Sequence, residues 1–220
     1  EKQHIPAFPA SIGNDTKFTS SFANQASAEF KRKVRWKIQF ILDTLSYGYR
    51  VLYVDSDVIL LKNPFAVLES YEGYDLIAQG DQWNLCTGFF YLPSSEKSIG
   101  VMKVAKDLVY NHDYRDQVAV NQAVKALNAS ILLLPQDAFP SGQEFFSKYQ
   151  YYWDRKGNEL KEWLKVDNDF YIFHNNYVRG HFGKDVRFKE MKMYLLDVNG
   201  EYSGERKYLT VEHVDTSGVE

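Results

Sequence analysis

The clearest pattern in the chain is an apolar run that leads without interruption into two acids. The run ends at Val54, and Asp55 and Asp57 follow it directly. An apolar stretch without polar alternation is typical of a strand that is buried on both faces of a parallel sheet. The sequence therefore predicts a strand over Arg50–Val54. Both carboxylates then lie at its C-terminal end, where open α/β sheets bind their ligands.

A helix is predicted immediately before this strand. Over Ala28–Tyr47, apolar residues recur at steps of three and four, which produces one apolar helix face. Gly48 follows, and glycine is the residue type most often found just after a helix C-terminus. Helix and strand thus form a predicted αβ unit, in which the apolar helix face consists of Phe30, Val34, Ile38, Ile41, Leu42 and Leu45.

Helices and strands continue to alternate after the two acids. This alternation predicts an α/β fold with a mainly parallel, Rossmann-like sheet flanked by helices. Asn199-Gly200, which is flanked by Met191–Val198 and Glu201–Ser203, predicts a C-terminal β-hairpin. The predicted helices are Ala66–Tyr71, one that Ser94 or Ser95 caps and that runs to about Tyr110, and Asp113–Leu127. The predicted strands are Asp75–Gln79, Cys86–Leu92, Ser130–Leu134 and Asp169–Phe173.

Composition narrows the class of protein. The 220 residues, 45% of them hydrophobic, fit one domain over 1–220, with a polar and mobile tail at 213–220. A net charge of −3 without a long basic run gives no support for a nucleic-acid partner. The single cysteine, Cys86, excludes an intrachain disulfide, and no apolar stretch reaches the roughly 20 residues that span a membrane. No strand is evident before Ala28, so we expect the first strand or strands of the sheet to be missing from this sequence.

The two acids have two interpretations. Carboxylates this close repel each other and are costly to desolvate unless a cation neutralises them, which favours a Mg²⁺ or Mn²⁺ site. An ordinary Asp-rich turn after a strand is the alternative. The apolar run before the acids, the second apolar run after them and the stop at Asn63-Pro64 favour the metal site.

Other candidate residues each have a structural and a functional interpretation. Lys37 lies near the apolar helix face, where it is either solvated or able to reach a phosphate or a sugar hydroxyl. Gly88, which follows Thr87, indicates either a β-bulge or the close approach of a ligand. Asp116 suits a helix N-terminus for electrostatic reasons. His174 follows a predicted strand, where a lone histidine is more often structural than a ligand.

Four stretches together resemble one family. They are Asp55-Ser56-Asp57, Thr87-Gly88-Phe89-Phe90-Tyr91, Asp116-Gln117 with Asn121, and His174-x-Asn176-x₃-Gly180-x₃-Lys184. In this combination the chain resembles the nucleotide-diphospho-sugar transferase domain of glycosyltransferase family 77, which has the GT-A fold. The resemblance covers most of Val34–Lys192, and the pairing of Asp-x-Asp with the later His, Gly and Lys makes it specific.

The resemblance implies a role for each of these residues. Asp55, Asp57 and His174 would bind the Mn²⁺ or Mg²⁺ that bridges the diphosphate of a UDP-sugar, and Lys184 would contact the departing phosphates. The remaining residues would bind the donor or act on it: Lys37 near its sugar or phosphate, Ser56 between the acids, Thr87 and Gly88 beside the sugar, Asn176 and Gly180 in the phosphate loop, and Asp116 and Gln117 as catalytic candidates on the sugar face.

The implied activity is the metal-dependent transfer of a hexose or pentose from a UDP-sugar to a hydroxyl of a glycan or glycoprotein. The resemblance also implies retention of the donor's α configuration and a location in the Golgi or secretory-pathway lumen. Two alternatives stay open. An apolar run before Asp-x-Asp also resembles the nucleophile motif of haloacid-dehalogenase-type phosphatases, although no later pair of acids follows a strand. The other alternative is a non-catalytic, transferase-like module that binds a glycan.

Overall fold

The computed structural model describes residues 28–71, 73–82, 84–145, 170–178, 183–185 and 187–188. Within these ranges, no helix is both long enough and apolar enough to cross a bilayer. The predicted hairpin around Asn199-Gly200 and the tail at 213–220 lie outside the described residues. The helices are α1 (Ala28–Ser46), α2 (Phe65–Ser70), α3 (Glu96–Asn111) and α4 (Asp116–Ala126). The strands are β1 (Val51–Val54), β2 (Val58–Leu60), β3 (Leu76–Asp81), β4 (Asn84–Leu92), β5 (Ile131–Leu134) and β6 (Ile172–His174).

The helix ends follow local signals in the sequence. Gly48, after α1, has a φ of 89°, a left-handed conformation that costs glycine little. Ser95 precedes α3, and its hydroxyl oxygen accepts a hydrogen bond from the Ser98 amide at 3.1 Å, as expected of an N-cap. Asp116 is the first residue of α4, where the helix dipole favours a carboxylate. These boundaries agree with the predicted ones to within three residues.

Four strands form a mixed sheet in the order β1-β4-β3-β5. β4 pairs antiparallel with both β1 and β3, whereas β3 and β5 are parallel, so β1, β3 and β5 all run in one direction. The predicted α/β fold with flanking helices is confirmed. β4 is reversed because it follows β3 through a tight turn that pairs Asp81 with Asn84, and such a short connection can join only antiparallel strands.

β1 is less buried than its apolar sequence predicts. In the described part of the chain it pairs only with β4, and its four residues are half-buried. Its pairing is also antiparallel, where the sequence predicted a parallel neighbour. The continuous apolar run therefore reflects packing on both faces of an edge strand, since Tyr53 contacts one core cluster and Val54 the other.

β4 contains an irregularity opposite Gln79. Ala78 pairs with Phe90 and Gly80 with Leu85, so β4 uses more residues than β3 over the same distance. The extra residues of a bulge bend a strand and change the direction of its side chains, and bulges are common beside active sites. The bulged stretch contains Gly88, which confirms the structural interpretation of that glycine without excluding a functional one.

Both faces of the sheet are covered. On one face, α1, α3 and α4 pack on β4 through residues such as Phe90 and Leu92. On the other face, Phe89 and Tyr91 of β4 contact α2 and the segment around Phe139. Because successive side chains of a strand point to opposite faces, β4 has to be apolar almost throughout.

β2 and β6 form a separate two-stranded antiparallel sheet. Val58 pairs with His174, and the Asn175 amide donates to the carbonyl oxygen of Asp57 at 2.9 Å. This pairing joins segments more than a hundred residues apart in the chain. It places His174, the last residue of β6, beside the two acids, whereas the sequence predicted that the histidine would follow the strand.

A matched pair of leucines tests this account of the core. Leu92 in β4 is fully buried, whereas Leu133 in β5 is 37% exposed. Leu92→Ala should lower the free energy of unfolding by about 2–5 kcal/mol, because a buried leucine leaves a cavity when truncated. Leu133→Ala should cost about 1 kcal/mol or less, since exposed sites lose little packing. Urea denaturation measures both values, and equal losses would contradict this assignment of the core.

Candidate active site

Asp55, Asp57 and His174 converge at one end of the sheet. Asp55 directly follows β1, Asp57 directly precedes β2, and His174 ends β6. One ligand atom from each side chain lies within 4.8 Å of the others, which is close enough to hold a single metal ion. Among the described residues, this is the only group of three or more metal-ligating side chains that meets this criterion. The predicted metal-ligand set is therefore brought together.

His174 is held from both sides of its ring. Its side chain is almost fully buried, with Nε2 3.5 Å from Asp57 Oδ1 and Nδ1 2.5 Å from the side-chain oxygen of Gln79. The side chain that joins Asp55 and Asp57 in the candidate metal group is thus an imidazole and not a third carboxylate. Within the described ranges, no later pair of acids joins the group, as the haloacid-dehalogenase alternative would require.

Gly88 lies against this group. A Cβ at this position would be 2.5 Å from His174 Cε1 and 2.9 Å from Asp55 Oδ2, distances that real Cβ atoms essentially never show. The Gly88 carbonyl oxygen also accepts a hydrogen bond from the Asp55 amide at 2.7 Å. Glycine is therefore needed here because protein groups, and not only a ligand, approach the backbone closely.

Lys37 is buried between three oxygen atoms. Its ammonium nitrogen lies 2.6 Å from the Thr87 carbonyl oxygen, 2.8 Å from Asp116 Oδ2 and 3.4 Å from Asp55 Oδ1. It also lies 4.2 Å from the ring centroid of Tyr53, a distance typical of a cation–π contact. The structure thus excludes the solvated interpretation of Lys37 and connects α1 to Asp55 and Asp116.

Asp116 is held in its charged form. Burial alone would raise its pKa, but the Lys37 ammonium and the Thr87 hydroxyl, which donates at 3.0 Å, hold the pKa below its ordinary value. The pKa of Asp57 is also lowered against the effect of burial, and the Lys184 ammonium is one cause. Tyr53 shows the opposite case, since burial and its hydrogen bond to Asp55 raise its pKa.

The structure describes Asn176 and Lys184 of the predicted pattern His174-x-Asn176-x₃-Gly180-x₃-Lys184. The Lys184 ammonium donates to Asp57 Oδ2, and the Lys184 carbonyl oxygen accepts from the Asn175 side chain at 2.9 Å. The Asn176 side-chain oxygen accepts from the Gly142 amide, so Asn176 connects β6 to a second loop. Ser56 is exposed in the turn between the acids. Gly180 lies outside the described residues.

Gln117 and Asp116 are adjacent in sequence, but their side chains have different hydrogen-bond partners. Its amide donates at 2.6 Å to Asp81 at the end of β3, and Asp81 also accepts from the Tyr177 hydroxyl. Asn121 bonds both backbone groups of Leu85 and thereby holds the start of β4. Gln117 therefore belongs to a second polar group beside the acids.

Sequence analysis missed three residues of this site. Tyr53 and Asp81 touch predicted site residues, and Gln79 touches His174. A signal was available for Gln79, because a polar residue inside an apolar strand needs a buried hydrogen-bond partner. The partners themselves lie far away in the sequence and could not be identified from it.

Comparison with known proteins gives one matching family. The family described as nucleotide-diphospho-sugar transferase matches residues 2–207. No solved structure gives a significant match.

Several curated proteins are similar to the chain. An Arabidopsis thaliana UDP-D-xylose:L-fucose alpha-1,3-D-xylosyltransferase is 28% identical over 88% of this chain and 56% of its own length. A Dictyostelium discoideum UDP-galactose:fucoside alpha-3-galactosyltransferase is 23% identical over 84% of this chain and 31% of its own length. The chain thus spans about half the length, or less, of the curated relatives it matches.

Removing the buried cation tests the electrostatics of the site. Lys37→Met should lower the free energy of unfolding by about 3 kcal/mol at neutral pH, since it leaves the largely buried Asp116 carboxylate without its cation. In the wild type, the lowered pKa of Asp116 stabilises the fold above the ordinary carboxyl pKa of about 3.9, and this contribution is lost as the pH falls further. In the variant, Lys37 no longer opposes the effect of burial, so the pKa of Asp116 rises. The stability gap between the two proteins should therefore narrow as the pH falls from about 7 toward about 4.

Lys33→Met is the matched control for this measurement. Lys33 lies one turn earlier on α1 and forms a partly exposed ion pair with Glu29 at 3.0 Å. Its loss should cost less than about 1 kcal/mol and should not depend on the protonation of Asp116. Urea denaturation across this pH range gives the free energy of unfolding of each variant. A difference between the wild type and Lys37→Met that does not change with pH would contradict the assignment of Lys37 as the cation that lowers the pKa of Asp116.

Proposed function

The chain belongs to the nucleotide-diphospho-sugar transferase family, and we propose on that basis that it transfers a sugar from a UDP-sugar donor to a hydroxyl of a glycan or glycoprotein. The observation that carries the proposal is the group formed by Asp55, Asp57 and His174 at the end of β1. A diphosphate is a good leaving group only when its developing charge is neutralised. This end of the sheet is where α/β proteins bind such ligands.

The donor set fits a divalent metal ion. Two carboxylates and one imidazole suit Mn²⁺ better than Mg²⁺, which prefers oxygen ligands alone. We therefore assign Mn²⁺ to Asp55, Asp57 and His174 and keep Mg²⁺ as the weaker candidate. When bound, such an ion acts as a Lewis acid on the phosphate oxygens of the donor.

Lys184 is the cation that we assign to the diphosphate. Its ammonium lies beside Asp57, and its side chain is 34% exposed, so it can reach a phosphate oxygen held at the same group. Ser56, exposed between the acids, and Asn176, beside Gly142, stay donor-binding candidates. Gly180 keeps the role in the phosphate loop that the resemblance implies.

The sugar side of the site is assigned to α4 and the bulge of β4. Lys37 fixes the Asp116 carboxylate, so that Asp116 can accept hydrogen bonds from sugar hydroxyls while staying ionised. Gln117 lies beside it as a second polar group, and Thr87 and Gly88 form the adjoining wall. Retention of the donor's configuration and a location in the Golgi or secretory lumen stay predictions from the family resemblance.

The names of the relatives suggest the first substrates to test. The Arabidopsis and Dictyostelium proteins are named for UDP-xylose or UDP-galactose as donor and for fucose or a fucoside as acceptor. We propose a fucose-bearing glycan as the acceptor, with UDP-xylose and UDP-galactose as candidate donors.

Calorimetric titration with uridine diphosphate tests the proposed site. Binding should require Mn²⁺ and should be lost in His174→Ala, because the imidazole supplies one of three protein ligands. Asp57→Asn should reduce sugar transfer by roughly 10²-fold or more, the scale of losing one strong electrostatic stabiliser. Transfer is measured as uridine diphosphate released from each donor in the presence of a fucoside.

Asp107→Asn is the control for the charge change. Asp107 lies on α3, where it contacts Asn111 and His112, away from the site. This variant should bind uridine diphosphate and transfer sugar as the wild type does. Full transfer by Asp57→Asn, or binding of uridine diphosphate that is indifferent to Mn²⁺, would contradict the proposal.

A pair of glycine substitutions tests the geometry of the metal ligands. Gly88→Ala should weaken Mn²⁺ binding about tenfold or more, because the new methyl group displaces His174 or Asp55. Gly100→Ala is the matched control, since its added Cβ meets only Leu127 at 3.4 Å. Alanine also favours a helix over glycine by about 1 kcal/mol, so this control should be no less stable than the wild type. Equal Mn²⁺ affinity in the two variants, measured by electron paramagnetic resonance, would show that His174 and Asp55 do not bind the ion from these positions.

A further inference from the structure

Gln79 is a fully buried polar residue directly behind His174. It lies in β3 opposite the bulge of β4, and none of its surface is exposed. Its side-chain oxygen is 2.5 Å from His174 Nδ1, on the opposite side of the ring from Asp57. Burying an amide without hydrogen-bond partners costs free energy, so the partners of the Gln79 side chain indicate its role.

The backbone of a neighbouring loop fixes the orientation of the Gln79 amide. Its nitrogen donates to the carbonyl oxygens of Phe139 at 3.1 Å and Pro140 at 2.7 Å, so both of its N–H groups are used. The reversed amide would place its oxygen against these two acceptors and would leave three oxygens facing one another without a proton. The Gln79 oxygen therefore has to face the imidazole as an acceptor.

This orientation determines where His174 carries its proton. An acceptor at Nδ1 requires Nδ1–H, so Nε2 of the neutral ring keeps a lone pair. Nε2 is the nitrogen that faces Asp57, at 3.5 Å from Oδ1. Without Gln79, the negative charge of Asp57 would favour the proton on Nε2, where it would block coordination.

We propose that Gln79 is a positioning residue that holds the His174 proton on Nδ1 and thereby keeps Nε2 free to bind the divalent ion. Hydrogen bonds of this kind from a second group orient metal-ligating histidines in many proteins, and their loss weakens metal binding by about 10–100-fold. The inference rests on the proposed metal site. Its effect on the tautomer of the ring, however, can be measured without metal.

The first measurement is nitrogen NMR of the His174 ring, identified by comparison with His174→Ala. The ¹⁵N shifts of an imidazole distinguish the Nδ1–H form, the Nε2–H form and the doubly protonated ring. In a pH series on the metal-free protein, the neutral ring should carry its proton on Nδ1. A neutral wild-type ring protonated on Nε2 would overturn the inference, whatever happens with Mn²⁺, and this arm needs no variant at Gln79.

The second measurement compares Gln79→Met with Gln136→Met. Methionine has nearly the length of glutamine, but its thioether sulfur is only a weak acceptor for the imidazole N–H. Gln136 also connects β3 to the same loop, since it donates to Gly80 at 2.6 Å and accepts from the Ser141 amide at 2.8 Å, but it does not contact His174. The control therefore reports the effect of loosening the loop without changing the partner of the ring.

The expected result is specific to the ring. Gln79→Met should shift the neutral ring toward Nε2–H and weaken Mn²⁺ binding by about 10–100-fold, measured by electron paramagnetic resonance. Gln136→Met should change neither value. Equal loss of Mn²⁺ affinity in both variants, or an unchanged tautomer in Gln79→Met, would overturn the inference. Failure of the wild type to bind Mn²⁺ would instead contradict the proposed function and leave the tautomer measurement to decide the role of Gln79.

Discussion

The site depends on compensating three carboxylates that lie close together at the end of β1. Asp55 is near Lys37 and accepts from the Tyr53 hydroxyl, Asp57 is paired with Lys184, and Asp116 accepts from Lys37 and Thr87. Half-buried acids without such partners would protonate or destabilise the fold. The lowered pKa values of Asp57 and Asp116 show that the partners outweigh burial in this site. The arrangement of Asp55, Asp57 and His174 is compatible with a divalent ion as a further positive charge.

The compensating groups come from separate parts of the chain, so the site requires the complete packing of the described elements. Lys37 reaches the acids because α1 packs on the sheet together with α3 and α4. His174 reaches them because β6 pairs with β2, and the Asn175 amide bonds the backbone of Asp57. Gly88 and the bulge of β4 provide the space into which the imidazole fits. Each contact is local in space and distant in sequence.

The contrast between closeness in space and distance in sequence explains which features of the structure could be predicted from the sequence. The apolar spacing of α1, the glycine after it and the run before Asp55 are local signals, and the elements they predict are present. The reversal of β4 depends on a tight turn between Asp81 and Asn84 with a weak local signal. The contacts of Gln79 with His174 and of Lys37 with Asp116 depend on tertiary packing, which spacing alone does not contain. The family resemblance could name the candidate ligands, because a motif shared by a family reflects residues that meet in the fold, but it did not indicate Gln79 as the partner of His174.

The two lysines of the site differ in how much of their hydrogen-bonding capacity the protein uses. An ammonium group has three N–H donors, and those of Lys37 face three protein oxygens in a buried position. Lys37 has no donor left for a phosphate unless it gives up one of these contacts, and the contact with the largely buried Asp116 is costly to break. Lys184 contacts Asp57 from a position that is one-third exposed. The charge that meets a diphosphate in the proposed site is therefore better supplied by Lys184, whereas Lys37 links the Asp55 and Asp116 carboxylates.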